Sequence, residues 1–207
     1  MDLGIASQVM ESYTQIDQTI AAFQSATHLD CPPGCGWCCE NPEVETTILE
    51  ILPLVIELFR QETVEFWLQR AADSQYQGQC VFYQPDPSIP GNGRCQVYPW
   101  RPTICRLFGF ATVTQKSGQV QLAACVKHKA ALPAILAQAQ GAIAQNQVQA
   151  PNFAEVTQQI TNLDPTLGQE RMPINTALRV AIERFGLYLQ MTVQPQDLPT
   201  QELSPPT

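Results

Sequence analysis

Four cysteines fall within nine residues, Cys31-Pro32-Pro33-Gly34-Cys35-Gly36-Trp37-Cys38-Cys39, at the spacing C-x3-C-x2-C-C. Thiols at that density suit a soft metal, because both tetrahedral zinc and iron-sulfur clusters are held by cysteine thiolates. The gap in Cys35-Gly36-Trp37-Cys38 lets both sulfurs of a tight turn reach one metal, with the turn's N–H groups aimed at sulfur. Pro32-Pro33-Gly34 cannot propagate a helix, and Gly36 leaves room for close approach of the backbone to a ligand. Cys38 and Cys39 are vicinal. Adjacent side chains diverge in most backbone conformations, so this pair is expected to serve different metals or different sides of one cluster.

The remaining thiols are Cys80, Cys95, Cys105 and Cys125, which makes eight candidate metal ligands in all. Eight exceeds the four that one zinc ion or one cluster takes. Either two centres form, or one forms and the other cysteines pack as small hydrophobes or stay reactive; spacing does not partition them. Charge supports the assignment. Six of the chain's eleven Lys and Arg residues (Arg94, Arg101, Arg106, Lys116, Lys127 and Lys129) lie between Cys80 and Lys129, where Asp86 is the single acid. Such cations stabilise thiolates and the net negative charge of a four-thiolate site. Arg101 and Arg106 flank Cys105 and are expected to donate to sulfur or to turn carbonyls. Two histidines are open as ligands: His28 just before the cysteine loop, and His128 in the C-x2-H spacing of Cys125-Val126-Lys127-His128.

Net charge is −8 with few charged residues, so a phosphate-backbone binder is not expected. Met1 to Ser7 show neither a basic n-region nor an apolar h-region, and no apolar run reaches the length of a membrane span. The expectation is a cytoplasmic protein whose clustered thiols are metal ligands; an oxidising compartment would turn them into four disulfides.

Around the cysteines the pattern predicts an α+β chain: a small Cys-rich β-hairpin core flanked by amphipathic helices. Residues 3 to about 28 carry Ile5, Val9, Tyr13, Ile16, Ile20 and Phe23 on one helical face. Residues 46 to about 73 read as helix, opened by a Thr47–Glu50 capping box and kinked or restarted at Pro53. Phe66 and Trp67 read as core or interface. Cys80–Tyr83 and Cys95–Tyr98 read as paired strands around the turn Gly91-Asn92-Gly93, followed by a Pro-punctuated turn through Arg106. A second hairpin joins Leu107–Thr114 to Val120–Cys125. Helices follow at 132–148, 152–163 and 175–191, the last with Leu178, Ile182, Phe185 and Leu189 on one face, and residues 193–207 read as a disordered tail. The domain expectation is an N-terminal helix at 1–28, a metal-binding domain at 29–130, a helical extension at 131–192 and the tail.

The cysteine loop, Cys80, Gly93-Arg94-Cys95-Gln96-Val97-Tyr98, Arg101-Pro102-Thr103-Ile104-Cys105-Arg106 and Cys125 together resemble the cysteine-cluster proteins of the YkgJ type, the C-x-x-C-x-x-C-C zinc- or iron-chelating domain. The resemblance spans roughly residues 28 to 130, and each of the family's eight cysteines has a counterpart. It implies a chelating domain for zinc or iron. Some members of the family are lysine N-methylases acting on flagellin, in which this domain is part of a longer protein. No Gly-rich loop after a strand offers a nucleotide or S-adenosylmethionine pocket here.

The function expected is a metal-binding protein holding an iron-sulfur cluster, such as [4Fe-4S], or zinc. Its role would be structural or electron-carrying, with helices presented to a protein partner. The alternative is a redox or modifying enzyme, either with Cys35–Cys38 as a dithiol pair or lysine N-methylase-like. Metal removal is expected to unfold the central region, since a thiolate-lined site would have no other core.

Overall fold

The computed structural model describes residues 3–41, 44–73, 76 and 78–192. Helix α1 (Leu3–Thr27) buries Ala6, Val9, Met10, Tyr13, Ile16, Ile20 and Phe23, the face expected from the three-and-four spacing. It packs on α2 (Ile48–Arg60), whose apolar residues are buried on nearly every side. The capping box at the start of α2 is present. Thr47 Oγ1 accepts from the Glu50 N–H at 3.2 Å, and the Thr47 main chain hydrogen-bonds back to the Glu50 carboxylate.

The restart expected at Pro53 does not occur. Pro53 lies inside α2, and the helix ends instead at Gln61, where Glu62 takes a positive φ of 55° before α3 (Val64–Ala72) begins. Pro53 forfeits only its own N–H to the helix ladder, and the buried flanks of α2 carry the helix through it. Trp67 is buried against Phe82, with ring centroids 4.9 Å apart, whereas its neighbour Phe66 is exposed.

Among the described residues, three two-stranded antiparallel pairs interrupt the helices. Strand β1 (Glu45–Thr46) pairs with β6 (Met172–Pro173), joining the entry of α2 to that of α9 (Ile174–Thr192). The first cysteine hairpin is shorter than its sequence suggests and displaced along the chain. Strands β2 (Tyr83–Pro85) and β3 (Gly93–Cys95) pair with Tyr83 opposite Cys95. Cys80 therefore precedes the strand, in a turn closed by Tyr83 N–H to the Cys80 carbonyl at 3.0 Å. Tyr98–Trp100 forms a 3-10 turn in place of a returning strand. The Pro-punctuated stretch continues into a short helix, α4 (Thr103–Leu107), so Cys105 is helical and Leu107 does not open a strand. The second hairpin is β4 (Thr112–Thr114) with β5 (Val120–Leu122), and Gly118 supplies the turn's positive φ of 82°.

The C-terminal half is helical, with α5 (Val126–Ala131), α6 (Pro133–Ala144), α7 (Phe153–Thr161), α8 (Pro165–Gly168) and α9. Asn152 caps α7 through Oδ1, which accepts from Ala154 and Glu155 N–H at 3.1 and 3.3 Å. Helix α9 buries Leu178, Ile182 and Phe185 against α2 and α3. One hydrophobic cluster runs from Ala6 to Phe185 and takes in Val81, Phe82, Tyr83, Val97 and Leu107 of the cysteine-bearing segment. At roughly 1.5–3 kcal/mol for each large side chain fully buried, these residues give that segment apolar anchors independent of its sulfurs. The chain is thus mixed helix and short strand pairs. The tail read as disordered lies outside the described residues. Among those described, no helix is long and apolar enough to cross a membrane.

Candidate metal centre

The cysteine loop is laid on the β2–β3 hairpin by the backbone. Gly36 N–H donates to the Gly91 carbonyl at 3.2 Å, and Gly93 N–H donates to the Gly34 carbonyl at 2.9 Å. Cys35 bridges to Asn92 between them. The two glycines Gly36 and Gly93 are required by a side chain. A β-carbon on either would stand 2.5 or 2.3 Å from Tyr83 Cε2. The room expected at Gly36 for a ligand is therefore taken by the Tyr83 ring. Tyr83 Oη donates to the Asn92 carbonyl at 2.9 Å and lies 3.2 Å from Glu40 Oε1. Tyr83 thus adds a side-chain lock to the backbone bonds that join loop and hairpin.

Docked in this way, the loop brings Cys31, Cys35, Cys38 and Cys39 to the same cavity as Cys80 before β2, Cys95 at the end of β3, Cys105 on α4 and Cys125 before α5. All eight line this cavity of about 520 Å³. All eight are free thiols. Among the described residues, no three Cys, His, Asp or Glu side chains are already drawn in around a single ion position. The sulfurs surround a space instead of closing on a point. Contrary to expectation, the vicinal pair converges, with Cys38 Sγ and Cys39 Sγ 3.9 Å apart. The 3-10 turn Trp37–Cys39 tilts both side chains to one side.

Backbone amides serve several of these sulfurs. The Phe82 and Tyr83 main chain hydrogen-bonds Cys80, Val97 hydrogen-bonds Cys95, and the His128 N–H donates to Cys125 Sγ at 3.4 Å. Amides aimed at sulfur favour the thiolate, which is the metal-binding form. Burial works against them. It pushes Cys31 up to about 11, Cys80 up to about 12, and Cys95 and Cys105 upward as well. Cys38 alone is drawn down, to about 7, chiefly because the Cys39 thiol donates to it. Buried thiols of this kind stay protonated until a cation arrives to offset the cost, so binding metal would release protons. The donor set, its amides and the volume it encloses fit a thiolate-held metal or cluster.

The arginines divide the work unevenly. Arg106 is buried and spent on structure: it pairs with Asp17 of α1, donates to the carbonyls of Pro99 and Arg101, and lies 4.2 Å over the Tyr13 ring. Of the two donors expected at the flanks of Cys105, it therefore serves carbonyls. Arg101 stacks 3.5 Å over Tyr98, lines the cavity, and favours the thiolate at Cys31, Cys38, Cys95 and Cys105. Lys127 sits 4.6 Å over the Trp37 ring at the loop's outer side.

The two histidines separate clearly. His28 is exposed at the end of α1 with a φ of 57° and is no part of the cavity lining. His128 is fully buried, and its Nε2 is 3.7 Å from Cys31 Sγ. Its C-x2-H spacing from Cys125 was the one sequence signal for that position. Burial lowers its basicity, which keeps the imidazole neutral.

Comparison with curated proteins and with solved structures returns no match. Residues 30–130 match the family model CxxCxxCC, whose description reads "Putative zinc- or iron-chelating domain".

Proposed function

We propose that this protein holds zinc or iron in the cysteine-lined cavity, with Cys31, Cys35, Cys38, Cys39, Cys80, Cys95, Cys105 and Cys125 as the ligands and residues 29–130 as the metal-binding domain. One observation carries the reading: cysteines spread over ninety-five residues of sequence line a single cavity of about 520 Å³. That space suits an iron-sulfur cluster or a pair of centres better than one zinc ion with four spare thiols. The role is structural or electron-carrying, in a reducing cytoplasm, with a protein partner recognised by the surface around the site. The exposed Trp37 and Tyr98, each covered by a cation, form part of that surface.

The test is anaerobic purification followed by metal analysis, absorption spectroscopy and thiol titration on the same sample. Bound iron with absorption near about 400 nm supports a cluster. A colourless sample with stoichiometric zinc supports the zinc form. A chain that retains neither metal after reconstitution, with all its thiols reactive, defeats the reading and leaves dithiol redox chemistry in its place.

A further inference from the structure

We propose that His128 is a metal ligand, and that with Cys31, Cys125 and one further cysteine of the cavity it forms one centre of three sulfurs and one nitrogen, separate from a second centre that includes Cys38 and Cys39. The inference rests on the reading that the cavity holds metal, and deepens it by dividing the donors.

Geometry supplies the first argument. Two ligands of tetrahedral zinc, one sulfur and one imidazole nitrogen at ordinary bond lengths, sit about 3.6 Å apart. Cys31 Sγ and His128 Nε2 are 3.7 Å apart, although ninety-seven positions separate them in sequence. Two sulfurs on one zinc sit about 3.8 Å apart by the same construction. Cys38 and Cys39, at 3.9 Å, have that separation in the other group.

The second argument is the state of the imidazole. His128 has no exposed surface, and its Nδ1 has no hydrogen-bond partner of good geometry. The ring is nevertheless held in place. A β-carbon on Gly109 would approach its Cε1 to 3.0 Å, and Gly109 has a φ of 87°, so only glycine leaves room for the imidazole. Phe110 packs on the other ring contact at 5.3 Å between centroids. The Gly109 carbonyl acts on the imidazole and is the natural acceptor for Nδ1–H once Nε2 takes a metal. His128 stands behind Cys31 and Cys125 rather than on the cavity wall, which places this centre at the edge of the cavity.

The sulfurs with measured neighbours fall into two groups. Cys125 lies beside the same histidine as Cys31, its Sγ accepting from the His128 N–H at 3.4 Å, while Cys38 and Cys39 face each other. Three cysteines and one histidine form a closed structural zinc set; the cysteines left over hold enough sulfurs for a four-thiolate zinc or an iron-sulfur cluster.

The probe is cobalt(II), added anaerobically to the metal-free full-length chain, with bound equivalents counted and the visible d–d bands recorded. The wild type is expected to take up about two equivalents, with bands of both four-sulfur and three-sulfur-one-nitrogen type. His128→Ala is expected to lose about one equivalent together with the mixed-ligand bands. His128→Cys is expected to recover the equivalent with its bands moved to longer wavelength, as sulfur replaces nitrogen. Far-UV circular dichroism of each variant checks folding, and the cysteine variant decides the matter if alanine unfolds the chain. Saturation of the wild type at one equivalent, or a cysteine variant with wild-type bands, overturns the assignment of His128. A wild-type chain that binds no cobalt overturns the metal-holding reading itself.

Discussion

The ring of Tyr83 occupies the space where a β-carbon on Gly36 would stand, 2.5 Å from its Cε2. This contact seats the cysteine loop on the hairpin, and the ring cannot retreat without losing the bond from its hydroxyl to the Asn92 carbonyl. Gly36→Ala is therefore expected to cost about 1–3 kcal/mol by overpacking. Tyr83→Phe is expected to cost about 0.5–1.5 kcal/mol, the loss of one hydrogen bond, since the Asn92 carbonyl keeps the Asp86 N–H at 2.9 Å. Urea unfolding of both variants measures this, and Gly141→Ala, inside α6 with open space beside it and no positive φ, serves as the control in which no loss is expected.

Arg106 ties three elements together, and its removal strands their polar groups. It is 3% exposed, and it serves Asp17 and the carbonyls of Pro99 and Arg101. Arg106→Met is expected to destabilise the fold by about 2–4 kcal/mol, somewhat below a fully buried pair because Asp17 is partly solvated. Lysine at the same position is expected to restore little, since one ammonium cannot reproduce a planar fork of donors. Thermal melts of the two variants check this.

Arg101 is expected to behave oppositely. It contributes to the electrostatics of the sulfurs and only one hydrogen bond to the fold, from Nε to the Tyr98 carbonyl. Arg101→Ala should leave the melting temperature nearly unchanged and weaken metal binding roughly twofold to fivefold at low salt, with the difference shrinking as salt screens it. Competition with a chromophoric chelator at two ionic strengths reads out both parts.

Glu50 sets a pH dependence unrelated to the thiols. Burial holds its carboxyl above the ordinary value of 4.5, and the hydroxyl of Thr46, 2.7 Å from Oε2, offsets this only in part. As pH rises past 4.5 the unfolded chain releases this proton before the folded chain does. Stability from the protonated carboxyl is thus complete below that pH and is lost as pH rises through the higher folded value, by at most about 1.4 kcal/mol per pH unit. Glu50→Gln is expected to flatten that decline and to be the more stable protein at neutral pH, as urea melts between pH 4 and 7 would show.

The sequence-derived expectation that metal removal unfolds the central region is altered by Val81, Phe82, Tyr83 and Leu107, which belong to the common hydrophobic core. Chelation is now expected to leave helices α1, α2 and α9 intact and to loosen the segments built on sulfur. Hydrogen exchange should quicken at 31–39, 93–106 and 125–131, while far-UV circular dichroism changes little.

The contrast between these elements shows what was legible before any fold was known. Helical faces such as Val9, Tyr13, Ile16 and Ile20 declare themselves, because a buried stripe must repeat every three or four residues. The convergence of the thiols was legible from their number and from the cations among them. Strand ends were not. Cys80–Tyr83 has the composition of a strand, but the register is set by the docking of Gly34 and Gly36 on the hairpin, which no periodicity encodes. Pro53 misled for a related reason: tertiary burial along α2 overrides a local breaker. The meeting of His128 with Cys31 was not legible, because it depends on the path of the whole chain between them. The family's own motif is also only partly kept, since Pro32-Pro33-Gly34 makes the first gap three residues, and Gly34 absorbs the extra length with a φ of 71°.

X-ray absorption at the edge of the bound metal, on protein purified anaerobically, tests the thiolate-held centre most directly. The expected result is a first shell dominated by sulfur at about 2.3 Å, weakened when Cys95 or Cys105 is replaced by serine. A first shell of oxygen and nitrogen alone, or one unchanged by those replacements, would contradict it.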